Sequence, residues 1–183
     1  MLSIVAQQDI ELQGLDISTA FLHGDLEEEL YMRLPRGSVG DYDGKVVRLR
    51  KSLYGLKQAG RCWNEKLDAW LKADGWVPND NDACLYVHGT AQARMLFYVH
   101  VDDCGIACAN NDLINAFIDR LNAHFPCKRQ GNIQYFLGME ITRRRDLRKL
   151  WITLHQYTQH KLEQFGLSAA KTHSVAGSRR SSS

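Results

Sequence analysis

The sequence predicts an α+β fold in which helices pack against an antiparallel sheet. Apolar residues recur at three- and four-residue spacing over residues 53–71 and 113–125, which is typical of amphipathic helices. Short apolar or alternating runs flank both segments, so the elements follow the order β-α-β-β-α-β with additional strands. The 183 residues suffice for one domain with its own core. We expect the helices to cover one face of the sheet and the other face to carry the aspartates.

The remaining elements follow from local patterns. Gly75 is expected to end the first helix, and Asn110 provides an N-cap for the second. A last helix is predicted over residues 157–165. Residues 38–44 are predicted to form a loop, and the chain from residue 174 a disordered tail. The predicted strands cover residues 12–17, 30–34, 45–49, 83–87, 94–101, 104–108, 135–141 and 150–154.

Two adjacent aspartates stand between two apolar strands. Asp102 and Asp103 follow the run at residues 95–100 and precede the run at 104–108. Neighbouring carboxylates repel each other unless a cation meets them, and Mg²⁺ prefers carboxylate oxygens. The pattern therefore predicts a metal-dependent phosphoryl-transfer site. A solvated turn remains the alternative, because aspartate is a common turn residue.

Asp16 is the obvious third carboxylate. It ends the first predicted strand, 86 positions before Asp102 (102 minus 16). Two-metal phosphoryl transfer needs carboxylates from separate strands that converge on two cations. Asp16 would meet the other two if its strand were their sheet neighbour. The alternative role for Asp16 is an ordinary helix N-cap.

Charge and cysteine usage bound the partners. The net charge is only +2, but residues 9–43 are acidic, whereas residues 45–72 and 143–149 are basic. A polyanion could lie along the basic segments, although solvated faces explain such runs as well. The five cysteines are scattered and odd in number, which indicates a reducing, intracellular compartment. No apolar stretch is long enough to span a membrane.

Four segments, in the right order, resemble motifs of copia-type retrotransposon reverse transcriptases. Residues 15–26 resemble the first palm motif, residues 51–59 the second, and Val101-Asp102-Asp103 the catalytic motif. Residues 135–141 are similar to the primer-gripping segment. The resemblance implies a reverse-transcriptase palm with a ferredoxin- or RRM-like core over residues 1–142. It also implies a primer-grip hairpin and the start of the thumb over 143–167, and a disordered tail over 168–183.

The resemblance further implies RNA-directed DNA polymerisation with two Mg²⁺ ions, or Mn²⁺ in their place. Asp16, Asp102 and Asp103 would be catalytic and would bind the metal together with the carbonyl of Ile17. The expected partners are an RNA or DNA template-primer, a deoxynucleoside triphosphate and the remainder of a Pol polyprotein. By family, the location would be the cytoplasm or nucleus of a eukaryotic cell.

Further roles are implied for residues that match the motifs. Phe21 would lie under the incoming sugar, although a core position is the alternative. Lys57 and Arg61, one helical turn apart, could meet phosphates or simply be solvated helix surface. The full set implied to bind substrate is Phe21, Tyr54, Gly55, Lys57, Arg61, His100 and Lys128. The implied primer grip is Phe136, Leu137, Gly138 and Met139.

Two departures and one expectation complete the comparison with the motifs. His100 stands where the family usually has tyrosine, and Gly60 where it usually has proline. Met1 lies close to the first palm strand, so we expect the fingers to be missing and the isolated chain to polymerise poorly or not at all. The alternative function is a non-catalytic retroelement remnant or a nucleic-acid-binding module, although no aromatic-rich RNA-binding strand is present.

Overall fold

The structure is a computed structural model that describes residues 1–35, 37, 45–91 and 93–170. Its helices are α1 (Leu2–Gln8), α2 (Ala20–His23), α3 (Ala59–Ala73), α4 (Asn111–His124) and α5 (His155–Gln164). Its strands are β1 (Glu11–Ile17), β2 (Asp25–Arg33), β3 (Val46–Lys51), β4 (Val77–Asn79), β5 (Asp82–His88), β6 (Met95–His100), β7 (Asp103–Cys108), β8 (Cys127–Asn132), β9 (Tyr135–Phe136), β10 (Met139–Arg144) and β11 (Lys149–Thr153).

A six-stranded antiparallel sheet organises the fold. Its strand order is β4-β5-β6-β7-β1-β8, so β1 lies between β7 and β8. Two smaller antiparallel sheets accompany it, one formed by β2 and β3 and the other by β11, β10 and β9. The predicted α+β class with a mostly antiparallel sheet is therefore confirmed.

Helices α3 and α4 pack on one face of the large sheet. Their apolar stripes, which include Trp63, Leu67 and Phe117, meet Ile17 of β1 and Phe97 of β6 in one continuous core. Burial of large side chains of this kind is the main force that holds a helix on a sheet. The helices therefore cover one face, as the sequence predicts.

The opposite face carries Asp16 and Asp103, as predicted, because their neighbours Leu15, Ile17 and Cys104 belong to the first core. A second core lies there, in which Val5 of α1 and Phe136 and Ile141 of the small sheet meet Leu12 and Ala107 of the large sheet. Strand alternation explains both cores, since neighbouring residues such as Ile106 and Ala107 project to opposite faces. The aspartates share this second face with apolar neighbours.

Two predicted elements have different bounds in the structure. The helix predicted from residue 53 begins at Ala59, because Gly55 has a left-handed φ of 96° in the turn before it. The predicted strand over residues 135–141 is a hairpin instead. Leu137 and Gly138 have φ values of 53° and 74°, which form the tight turn between β9 and β10.

Other local predictions are confirmed. The Asn110 side chain accepts a hydrogen bond from the backbone N–H of Asp112 at 2.8 Å and so caps α4. The last predicted helix corresponds to α5. The loop predicted for residues 38–44 and most of the tail predicted for residues 168–183 lie outside the described residues. The domain boundaries stay predictions, and β10 runs across residue 142. None of the helices in the described ranges has the length and apolar character needed to cross a membrane.

Candidate active site

The strand pairing places two of the three aspartates side by side. Asp16 is the next-to-last residue of β1, Asp103 is the first residue of β7, and they are direct partners in the antiparallel ladder. Asp102 precedes Asp103 in the two-residue turn between β6 and β7. Three carboxylates that are distant in sequence therefore occupy one end of the large sheet.

A row of four polar residues crosses this end of the sheet. His100 of β6 pairs with Asp103 of β7, Asp103 pairs with Asp16 of β1, and Asp16 pairs with Lys128 of β8. Directly paired residues project to the same face of a sheet. The sequence-predicted His100 and Lys128 therefore flank the carboxylate pair, one on each side.

The turn that carries Asp102 is held from β1. The backbone N–H of Ile17 donates a hydrogen bond to the Asp102 carbonyl at 2.9 Å, which continues the β1–β7 ladder into the turn. Val101, the other turn residue, has a φ of 61°. A β-branched residue rarely adopts this left-handed conformation, which costs about 1–3 kcal/mol.

The electrostatics of the site are those of an uncompensated acidic cluster. Burial raises the pKa of Asp103, the charges of Asp102 and Asp16 raise it further, and His100 opposes them. Within the described residues, no lysine or arginine forms a salt bridge with any of these three carboxylates. The cluster is thus one that a cation would stabilise.

Carboxylate oxygens are also the donors that hard divalent ions prefer. However, in the part of the chain that the structure describes, no three His, Cys, Asp or Glu side chains are arranged closely enough to hold one metal ion. The strand register holds Asp16 and Asp103 together, whereas the third carboxylate is carried on a turn. The donor chemistry of the three carboxylates fits a divalent cation.

The predicted primer-grip residues lie close to Asp103. An open cleft of about 550 Å³ is lined by Asp103 and by the β9–β10 turn, including Phe136, Leu137 and Gly138. The first residues of β10 follow directly, since Met139 pairs with Phe136 across the turn. This cleft joins the carboxylates to the hairpin.

Paired glycines leave room for neighbouring side chains beside the carboxylates. Gly14 and Gly105 are direct partners, two residues from Asp16 and Asp103. A Cβ atom on Gly105 would lie 3.1 Å from Met1 and 3.3 Å from Ile133, and one on Gly14 would lie 3.1 Å from Ile133. Glycine therefore leaves room for these side chains next to the carboxylate row.

Residues of the predicted nucleotide-binding set form a second group. The rings of Phe21 and Tyr54 are in contact, with centroids 4.7 Å apart, and Tyr54 is 58% exposed. The buried Ser52 hydroxyl donates to the Phe21 carbonyl and ties the two segments together. Gly55 follows, exposed and with open space around its Cα. Phe21 is only partly buried, at the edge of the first core.

The two predicted phosphate-binding cations are not placed as expected. Lys57 lies in the turn before α3, so it does not share a helix face with Arg61. Arg61 lies on α3 near Glu28 of β2, with 3.7 Å between Nη2 and the carboxylate oxygen. The helix begins too late for the spacing of one turn to bring these two side chains together.

Three residues at the candidate site were not predicted from the sequence. Trp63, which the sequence places in the core, donates its indole N–H to the Val101 carbonyl in the β6–β7 turn at 2.7 Å. Gln130 and Asn132 line the cleft beside Asp103. They belong to β8, a strand with so few apolar residues that periodicity does not reveal it.

Comparison with known proteins shows the family to which the chain belongs. Residues 1–177 match the family model described as "Reverse transcriptase (RNA-dependent DNA polymerase)". Because the match covers almost the whole sequence, the chain belongs to the reverse transcriptase family. Dependence on a divalent metal ion is a general property of this family.

The similar curated proteins are Pol polyproteins of copia-type transposons, so this chain corresponds to a copia-type reverse transcriptase region. It is 40% identical over 173 residues to the Retrovirus-related Pol polyprotein from transposon TNT 1-94 of Nicotiana tabacum, covering 93% of this chain and 13% of that protein. It is 33% identical to the Retrovirus-related Pol polyprotein from transposon RE2 of Arabidopsis thaliana (93% and 12%). The Transposon Ty1-BL Gag-Pol polyprotein of Saccharomyces cerevisiae is 34% identical (76% and 8%). No solved structure matches the chain significantly.

Proposed function

We propose that this chain carries the catalytic centre of an RNA-directed DNA polymerase. The reaction joins the 3′-hydroxyl of a primer to the α-phosphate of a deoxynucleoside triphosphate and releases pyrophosphate. The observation that supports this most directly is the register of Asp16 against Asp103, with Asp102 in the adjoining turn, in a member of the reverse transcriptase family. The chain spans about an eighth of the length of the Pol polyproteins from TNT 1-94 and RE2, so polymerase activity of this chain is a proposal.

The three aspartates would hold the metal, together with the backbone carbonyl of Ile17. Two Mg²⁺ ions held there, or Mn²⁺ in their place, would supply Lewis-acid chemistry that activates the primer hydroxyl and offsets charge on the pyrophosphate leaving group. The pKa of Asp103 is raised by burial first and by the charges of Asp102 and Asp16 second, and the repulsion between these carboxylates is what a bound cation would relieve.

The flanking residues would position the substrates. Phe21, in contact with Tyr54, would lie under the incoming sugar and exclude a ribose 2′-hydroxyl. Lys128, beside Asp16, would meet the phosphates or protonate pyrophosphate, and His100 would contact the primer end.

The β9–β10 turn, which contains Phe136, Leu137, Gly138 and Met139, would hold the primer in the cleft beside Asp103. Gly55 would permit close approach of the backbone to the nucleotide. Lys57 and Arg61 would contact template or phosphate, and Arg61 would have to leave Glu28 to do so.

Primer extension tests the proposal. The chain is incubated with poly(rA)/oligo(dT), dTTP and Mg²⁺, beside Asp102→Asn and, as a matched control, Asp80→Asn in the exposed β4–β5 turn. We expect Asp102→Asn to lose more than about 100-fold in rate, because a metal ligand should cost at least as much as an outer-shell partner. Asp80→Asn should match the parent chain. Equal extension by Asp102→Asn would contradict the proposal. The same assay measures whether the isolated chain polymerises poorly or not at all, which stays a prediction.

Metal titration separates the polymerase from a plain nucleic-acid-binding module. Calorimetry with Mg²⁺ and Mn²⁺ should show binding that Asp16→Asn weakens. A binding module would ignore the metal, and its affinity for nucleic acid would survive Asp16→Asn. That second result would overturn the polymerase assignment.

A further inference from the structure

The β6–β7 turn, which carries Asp102, accepts a hydrogen bond from helix α3 as well as one from strand β1. The indole N–H of Trp63, on α3, donates to the Val101 carbonyl at 2.7 Å. Trp63 is 2% exposed and Val101 is half-buried, so the hydrogen bond is partly shielded from water. A residue 38 positions away in sequence therefore anchors the first residue of the turn.

The orientation of the indole is fixed by its neighbours. The Phe125 ring, which follows α4, stands at 89° to it with centroids 5.2 Å apart. The His23 ring, at the end of α2, lies on it at 5.8 Å. Edge-to-face packing of this kind leaves a buried ring little freedom to rotate. The N–H is thus aimed at the turn by elements that follow β1 and α4.

The turn has a specific need for such an anchor. Val101 holds a left-handed φ of 61°, a conformation that a β-branched residue leaves when it is not constrained. The Ile17 N–H holds the carbonyl of Asp102 at 2.9 Å, while the Trp63 N–H holds the carbonyl of Val101. The two carbonyls of the turn are therefore anchored from opposite sides, and the peptide between them determines where the Asp102 side chain starts.

We infer that Trp63 is a positioning residue for the proposed metal-binding carboxylates: its N–H keeps Val101 in the left-handed conformation, which fixes the position on the β6–β7 turn from which the Asp102 side chain extends. The effect of Trp63 on metal binding and catalysis rests on the proposed function, whereas its effect on the turn does not. It differs from a role in packing alone, in which only the volume of the buried ring would matter.

Two tryptophan-to-phenylalanine variants separate these roles. Trp63→Phe and Trp76→Phe each remove an indole that is 2% or less exposed from the same core, so both should lower the melting temperature to a similar extent. Trp76 donates to Asp74, away from the turn. Only Trp63→Phe should raise the Kd for Mn²⁺, by about tenfold or more, as loss of an outer-shell partner does.

A readout without metal tests the turn itself. The Ile17 amide bonds to the Asp102 carbonyl, so its hydrogen exchange reports on the turn. In metal-free protein, exchange at Ile17 should be about tenfold faster in Trp63→Phe than in Trp76→Phe, because local opening is favoured. Equal exchange in the two variants would overturn the inference.

A rescue variant completes the test. Glycine adopts positive φ without steric cost, so Val101→Gly should restore part of the Mn²⁺ affinity in the Trp63→Phe background. It should restore none in the Trp76→Phe background. If Asp16→Asn abolishes Mn²⁺ binding but Trp63→Phe does not change it, the inference is wrong and the proposed function stands. If the parent chain binds no Mn²⁺ while Ile17 exchange still responds to Trp63→Phe, the proposed function fails and the positioning of the turn stands.

Discussion

Asp103→Asn is expected to stabilise the metal-free fold while it weakens metal binding. Burial and the charges of Asp102 and Asp16 raise the pKa of Asp103, so at neutral pH its carboxylate is held against repulsion. Asparagine has nearly the same shape and no charge. The substitution therefore removes the repulsion and removes a candidate metal ligand at the same time.

The strand register sets the expected size of the stabilisation by Asp103→Asn. Directly opposed side chains in an antiparallel pair have Cβ atoms about 5 Å apart, and Asp103 is opposed to Asp16 in this way. Two unit charges at about 5 Å repel by ~0.8 kcal/mol in water and by ~3 kcal/mol at an effective dielectric constant of ~20. Asp103 is partly exposed, so the lower value applies after solvent screening, on the order of 1 kcal/mol. For a chain of this length that raises the melting temperature by about 2–4 °C.

The pH dependence has a definite sign. A carboxyl whose pKa is raised on folding binds its proton more tightly in the folded state, so its ionisation lowers stability as the pH rises. The advantage of Asp103→Asn is therefore full above the raised pKa of Asp103. It disappears as the pH falls below the unfolded value of about 3.9, where the Asp103 carboxyl is protonated in both the folded and the unfolded chain. Mg²⁺ affinity of the parent chain should fall over the same range, because protons compete for the ligand.

Thermal unfolding followed by circular dichroism measures these effects in EDTA and in excess Mg²⁺, from pH 7 down to pH 4. Mg²⁺ should raise the melting temperature of the parent chain, because it binds the folded state, and raise that of Asp103→Asn less. Asp80→Asn, at an exposed turn, should follow the parent chain under every condition. A melting temperature of Asp103→Asn at pH 7 in EDTA that is equal to or below the parent value would refute the reasoning.

Two further predictions concern the elements that support the site. Gly24→Ala should destabilise the fold by about 1–3 kcal/mol in urea unfolding, because its Cβ would lie 2.9 Å from the backbone nitrogen of Trp63 and force α2 away from α3. Gly60→Ala is the control, because a Cβ there meets open space, and it should be neutral or stabilising. Equal changes in the free energy of unfolding for the two variants would contradict this account. Asn110→Ala should cost about 1 kcal/mol in the same measurement, because the N–H of Asp112 loses its acceptor, whereas Asn110→Asp should retain most of the stability.

Much of the local structure could be predicted because its causes are local. The cap at Asn110 and the periodicity of α4 depend on residues within one or two turns of each other. The pair Asp102 and Asp103 between two apolar runs indicates a hairpin with charged residues at its turn. By contrast, β8 was missed because its pairing with β1 stabilises a segment without an apolar pattern.

The start of α3 shows where local reasoning fails. Apolar residues before Ala59 continue the helical spacing, but Gly55 turns the chain with a positive φ. The consequence is functional, since Lys57 and Arg61 do not share a helix face. The spacing of apolar residues cannot show where a backbone turn interrupts it.

By itself, the sequence determined the chemistry available to this protein: three carboxylates at strand ends, in motifs that resemble those of a reverse transcriptase. Only the tertiary structure decided that Asp16 lies directly opposite Asp103 and that Trp63 donates a hydrogen bond to the β6–β7 turn. The physical reason is that strand register and cross-layer hydrogen bonds join residues far apart in the chain. Their geometry depends on the packing of the whole core, which no short segment encodes.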